Sequence, residues 1–226
     1  RRLCERRHDA QPIGRPGVCL SSPQAHARKF ARQRCQKTSR CLAYRTQKKA
    51  ESGEIDLFFV DETTIRLLST LVKCWMKRGH QKRIPTPGQN KWQHVIGALN
   101  WRTNELIYQI IEKKNSKTFC AFLEHLVANT DRKRLLFYVL DNVSYHHSQV
   151  SHAMIAYFED VAVPIWLPTY CSDLNPIERY WKHLKDNACA NRLFSQVQEV
   201  VDSVVKVLDE QNDMTSTSRL VFQDIY

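Results

Sequence analysis

Apolar residues are spread very unevenly along this chain. Over residues 1–24 the few aliphatics follow no period among Arg, Pro, Gly and Ser, which predicts an unstructured stretch. Residues 25–50 are compatible with a helix, but its apolar stripe is weak. At Glu54 the pattern changes abruptly. Ile55–Val60 (IDLFFV) is a short, aromatic-rich apolar run that ends in acids, and it predicts a buried strand. Thr63–Leu68 (TTIRLL) reads as a second strand, followed by a loop holding Gly79, Pro85, Pro87 and Gly88. HVIGALNW and ELIYQIIE flank Arg102-Thr103-Asn104 as a hairpin would. Residues 116–129 carry Phe119, Phe122, Leu123 and Leu126 at helical spacing. RLLFYVLDN is another buried strand, ending in Asp141. Residues 145–159 predict a helix, VAVPIWLP a strand, 176–190 a helix opened by Pro176, and 195–211 a last helix.

Three antiparallel strands followed by α/β alternation predict an α/β fold. Its mixed sheet, antiparallel strands first and parallel strands after, would carry helices on both faces. The boundary at residue 54 divides the chain into a basic, partly disordered segment (1–53) and a single folded domain (54–226). A chain of 226 residues suits that division.

Charge sharpens the boundary. Residues 1–50 hold 14 Arg and Lys against Glu5 and Asp9, a balance of +12, within a whole-chain charge of +11. The remaining 176 residues are therefore −1. A segment so basic can bind polyanions by neutralising phosphates, or can be a solvated arm without a partner. No run of about 18 apolar residues exists, so nothing predicts a membrane span. The start of the chain has arginines but no apolar core of a secretory signal. The eight cysteines form no C-x-x-C pair, which argues against a zinc site and for reduced thiols in a cytoplasmic protein.

The candidate chemistry lies in three carboxylates. Asp61 follows the first strand, Asp141 ends RLLFYVLD, and Glu178 opens the helix after the last strand. In open α/β sheets, sites gather where strand ends and helix starts converge. Three carboxylates there can hold two hard divalent cations, and Mg²⁺ suits oxygen ligands while keeping positions for substrate phosphates. Pro176 would stiffen the helix entry, with Asp173 or Asn175 as cap. Taken singly, each acid has a plainer reading: Asp61 as a turn residue, Asp141-Asn142 as a turn pair, Glu178 as a helix-start carboxylate favoured by the macrodipole.

LFFVDE, YVLDNVSYHHS and LPTYCSDLNPIERYWKHLK together resemble the catalytic blocks of DDE transposases, specifically the insertion sequence 630 branch of the mariner-type superfamily. CWMKRGHQKRIPTPGQN and VIGALNW fit between the first two blocks. The resemblance covers about residues 54–190. It implies an RNase H-like fold and an acidic triad of Asp61, Asp141 and Glu178. It further implies two Mg²⁺ or Mn²⁺ ions and cleavage and joining of double-stranded DNA at transposon ends and a target, with TA dinucleotides as insertion sites. A homodimer is one assembly it allows, and a bacterial, nucleoid-associated location follows from the same likeness.

Residues around the blocks have two readings each. His146 and His147 can touch DNA phosphates or simply start a helix. Lys77 and Arg78 can contact DNA together with Trp75, or pack a loop with it. Arg179, Lys182 and Lys185 can line a DNA path or face solvent, and Trp181 reads as core. The chain has Cys171 and Ser172 where the family usually has serine and proline, a change in loop stiffness rather than in ligands. The family's paired helix-turn-helix region does not fit into fifty residues, which predicts a truncated or decayed element. Two rivals accompany the transposase reading: a decayed element acting only through DNA binding or interaction, and a stand-alone RNase H-like nuclease, against which NPIE speaks.

Overall fold

The structure, a computed structural model, describes residues 45–80, 83–85, 88–168, 175–217 and 219–222. The arm at 1–44 and the positions of Cys171, Ser172 and Asp173 lie outside them. Of the helix read over 25–50, residues 45–51 are described and are helical.

Five strands form one sheet: β1 (Ile55–Arg66), β2 (Trp92–Asn100), β3 (Leu106–Ile111), β4 (Leu135–Leu140) and β5 (Ala162–Trp166). Their order across the sheet is β3-β2-β1-β4-β5. β1–β2 and β2–β3 are antiparallel, and β1–β4 and β4–β5 are parallel. The mixed sheet predicted from sequence is present. Beyond the helical residues 45–51, the described helices are α1 (Ser116–Ala128), α2 (Gln149–Tyr157), α3 (Ile177–Ala188) and α4 (Val197–Asn212), with a 3₁₀ turn at Ser144–His147.

The central strand β1 departs from the sequence reading. TTIRLL is not a second strand but the continuation of the first. Asp61 and Glu62 do not end the strand; they sit in its middle, because β2 keeps pairing past them from Asp61↔Gly97 to Arg66↔Trp92. Backbone pairing on one side outweighs the weak strand preference of two acids. The 145–159 helix is likewise split. Ser148 caps α2 by accepting from the Ser151 N–H, and the 3₁₀ turn precedes it.

Side-chain alternation sorts the sheet into two cores. Leu57, Phe59, Ile65, Val95 and Leu99 face α3 and α4, where they meet Tyr180, Trp181, Leu184, Val204 and Leu208. Phe58, Val60, Ile96, Ala98 and Tyr138 face the α1 side with Phe119, Phe122 and Leu126. A strand buried on both faces needs apolar residues at nearly every position, which is why the β1 run read as unbroken. The β2–β3 turn is held by Asn100, whose side-chain oxygen accepts from the Arg102 and Thr103 N–H groups. Asn104 takes the left-handed conformation there (φ 56°). Among the described residues no helix is long and apolar enough to cross a membrane.

Candidate active site

Period-2 alternation sends the two acids of β1 to opposite faces. Asp61 points toward α3. Its direct partner across the antiparallel ladder is Gly97. On its other side the parallel ladder runs Ile55↔Leu135 to Phe59↔Val139, an offset of 80. Two residues further, the same offset brings Asp141, just past the end of β4, beside Asp61. Adjacent strands lie about 4.8 Å apart.

Glu178 arrives from above, in the first turn of α3. Its entry is built differently from the expectation. Pro176 stands at the N-cap position, and among the described residues no side chain caps this helix; Asp173 lies outside them. Asn175 instead donates its side-chain N–H to the Val60 carbonyl at 3.3 Å, fastening the start of α3 to the residue before Asp61. The carbonyls of Asn175 and Pro176 accept from the N–H groups of Glu178 and Arg179. The helix start is thus tied to the strand that bears the first acid.

Asp61 and Glu178 line one open cavity of about 460 Å³ with Glu62, Thr63, Thr70, Trp181, Lys182, Lys185 and Asp186. The Asp61 carboxyl is pushed up to about 7. Burial is the main cause, the neighbouring Glu62 charge adds to it, and the charges of Asp141 and Glu178 raise it further. The Trp181 indole N–H donates to Asp61 Oδ2 at 3.0 Å. Lys185, half-buried at the same cavity, is held below its ordinary value by burial and by the Lys114 charge. Among the described residues no three His, Cys, Asp or Glu side chains close on a single point as a ready-made metal centre.

On the opposite face, the Glu62 side chain is only 4 % exposed. His146 sits between it and Asp141, with Nε2 3.4 Å from Glu62 Oε1 and Nδ1 3.3 Å from Asp141 Oδ1. Nδ1 also lies 3.2 Å from the Asp141 carbonyl. Burial pulls the His146 pKa down, but the two carboxylates outweigh it and raise it to about 9. The Tyr145 hydroxyl also bonds Glu62, and burial with that charge drives its pKa up.

The predicted residues therefore divide. Asp141 lies beside Asp61 by strand register, and Glu178 shares the Asp61 cavity. Lys182 lines the cavity and Arg179 is exposed beside it. His146 is 1 % exposed and packed against Phe119, so it braces the site from within and presents no ring to DNA. His147 is exposed, stacks on Trp166 and lies 3.1 Å from Asn142 Oδ1. Lys77 and Arg78 stand exposed on the β1–β2 connection. Trp75 is fully exposed there, which corrects the loop-packing reading. Trp181 is core, as expected, but it also touches Asp61. Glu62 and Gly97 have no role in the sequence reading, and Asn175, read there as a cap, ties to Val60 instead. For Glu62 the signal was present: an acid directly after Asp61 in a two-faced strand must point into the other core.

Residues 56–201 match the family of DDE superfamily endonucleases. The insertion element IS630 uncharacterized 39 kDa protein of Shigella sonnei is 30% identical over 153 residues, covering 68% of this chain and 44% of its own length. This chain thus spans less than half of that relative. Among solved structures, the Mos1 transposase paired-end complex with left transposon end is similar at a TM-score of 0.61. It is 18% identical and covers 93% of this chain and 61% of its own. The mariner Mos1 paired end complex with Mg has a TM-score of 0.58 at 18% identity, covering 95% of this chain and 62% of its own. These likenesses make the five-stranded sheet and its flanking helices an RNase H-like fold, and with the match over residues 56–201 the chain belongs to the DDE superfamily endonucleases.

Proposed function

We propose that this domain cleaves and joins DNA strands by divalent-metal-dependent phosphodiester chemistry, with Asp61, Asp141 and Glu178 as the metal-holding acids. The observation that supports this reading is the placement of the acids around Asp61: the β1–β4 register sets Asp141 beside it, and Glu178 shares its cavity. The donor set fits the group. It is all oxygen, as Mg²⁺ and Mn²⁺ prefer. Burial and the surrounding acids also raise the Asp61 carboxyl to about 7, so a divalent cation beside it would favour its ionised form. A relative of the same fold is described in complex with Mg.

When bound, a pair of such ions supplies activation of the attacking oxygen and stabilisation of the leaving oxygen. The chain's own groups do the rest. Asp61, Asp141 and Glu178 are the side chains that would hold the ions. Lys182 and Lys185 offer positive charge at the rim for a phosphate backbone. Water adding across a P–O3′ bond leaves a 3′-hydroxyl and a 5′-phosphate. That hydroxyl then exchanges with a phosphodiester of target DNA. No covalent protein–DNA bond is required. Double-stranded DNA as substrate is further supported by the +12 balance of residues 1–50. Transposon ends, TA targets and pairing of two copies are the parts of this proposal that rest on the family likeness.

The test is strand joining. A DNA end pre-cut to expose its 3′-hydroxyl is incubated with target DNA, Mn²⁺ and protein. Wild type is expected to join, and Asp141→Ala to lose joining along with Mn²⁺ binding measured by calorimetry. Equal joining by both proteins would overturn the acid assignment. Sequenced joints read the target preference, and light scattering of the DNA complex reads the number of copies.

A further inference from the structure

We propose that Trp181 is a positioning residue for Asp61, and that residue 97 is glycine because the indole needs the space. This rests on the reading of Asp61 as a metal-holding acid and adds to it the device that aims the carboxylate. Trp181 lies three residues after Glu178 on α3, so the two side chains share a helix face. Its ring reaches from Gly97 to Asp61, two residues directly opposed in the β1–β2 ladder. A Cβ on Gly97 would stand 2.7 Å from Trp181 Cη2 and 3.2 Å from Cζ2, closer than side chains tolerate. Gly97 is not in a left-handed conformation, so it is the ring, and not the backbone, that demands glycine. At its other end the ring gives its N–H to Asp61 Oδ2.

The chemistry of the donor matters. Indole N–H donates and cannot accept, so it cannot compete with the carboxylate as a ligand. It is neutral, so it fixes the carboxylate without satisfying its charge. An Arg or Lys in its place would supply that charge and remove the need for a cation. The hydrogen bond occupies one lone pair of Oδ2 and, with the backbone hydrogen bond from Glu62 to the same carboxyl, restrains rotation about the Cβ–Cγ bond beside the cavity shared with Glu178. Such orienting partners commonly govern metal affinity. The plainer alternative is a buried tryptophan that merely found an acceptor for its N–H.

The full chain is titrated with Mg²⁺ by calorimetry while the indole N–H resonances are followed by ¹⁵N NMR. The Trp181 signal, identified by its loss in Trp181→Phe, is expected to move with the calorimetric midpoint and to stay still in Asp61→Asn. Trp181→Phe should weaken Mg²⁺ binding about 10-fold or more, and Gly97→Ala, which keeps every polar atom, should weaken it in the same direction. If Trp181→Phe does not fold, Gly97→Ala carries the test. Wild-type affinity in the folded variants, with an indole signal that ignores Mg²⁺, overturns the positioning role and leaves the acid assignment standing. Equal Mg²⁺ binding by wild type and Asp61→Asn overturns that assignment, and the positioning role with it.

Discussion

Asp61 and Glu62 are neighbours in one strand, both carboxylates, both removed from bulk water, yet their surroundings are opposite. Glu62 faces the α1 core, where His146 and Tyr145 meet it. Asp61 faces a cavity, where it meets a neutral indole and two other acids. Glu62 has a countercharge in direct contact. Asp61 shares its cavity with Lys185, but burial and the neighbouring acids outweigh that charge and raise its pKa. The difference separates a carboxylate that holds the fold together from one kept ready for a ligand. His146 joins the two halves, since one ring nitrogen faces Glu62 and the other Asp141.

The largest way to break the comparison is at Glu62. Glu62→Ala removes the carboxylate facing His146 Nε2 and the Tyr145 hydroxyl, and removing one partner of a buried pair costs about 3–5 kcal/mol. Denaturant melts at pH 7 should register that loss. A change under about 1 kcal/mol would mean the Glu62 face is no more structural than the Asp61 face.

Asp61→Asn should act in the opposite direction. The Asp61 carboxyl rises from 3.8 unfolded to about 7 folded. Its ionisation therefore weakens the fold as pH climbs from about 4 through 7, and the full cost is present above 7. In metal-free buffer at pH 8, Asp61→Asn should stabilise the protein by roughly 2–3 kcal/mol, a gain that shrinks toward zero near pH 4. With saturating Mg²⁺ the order should invert, because only the carboxylate is stabilised by the ion. A variant less stable than wild type at pH 8 without metal would contradict the electrostatic picture of this face.

Glu178→Gln should change stability least. The residue is exposed at the helix start, and loss of its favourable interaction with the helix dipole costs under about 1 kcal/mol. Mn²⁺-dependent joining should nevertheless disappear. Near-unchanged melting with lost joining places Glu178 with Asp61. Retained joining would return it to the role of a simple helix-start carboxylate.

The sequence went a long way here. Apolar periodicity and the three acid-bearing blocks pointed to the mixed sheet, its helices and the family, because strands buried on both faces and helix stripes write themselves into local composition. It went wrong where backbone pairing across strands decided the matter. Asp61 and Glu62 looked like the end of a strand, but β2 carries the pairing past them. His146 looked like a surface residue at a helix start, but the 3₁₀ turn tucks its ring beneath Asp141.

By itself the sequence determined which carboxylates exist, the order in which they appear, and the stiff entry of the helix bearing Glu178. Only the tertiary structure decided what each one meets. The parallel offset between β1 and β4, the tie from Asn175 to Val60 and the space above Gly97 are contacts between residues tens of positions apart. No local pattern encodes them, because they are set by packing two helices and a neighbouring strand against the same few ångströms of β1. That packing assigns a countercharge in direct contact to one acid and an open cavity to the next.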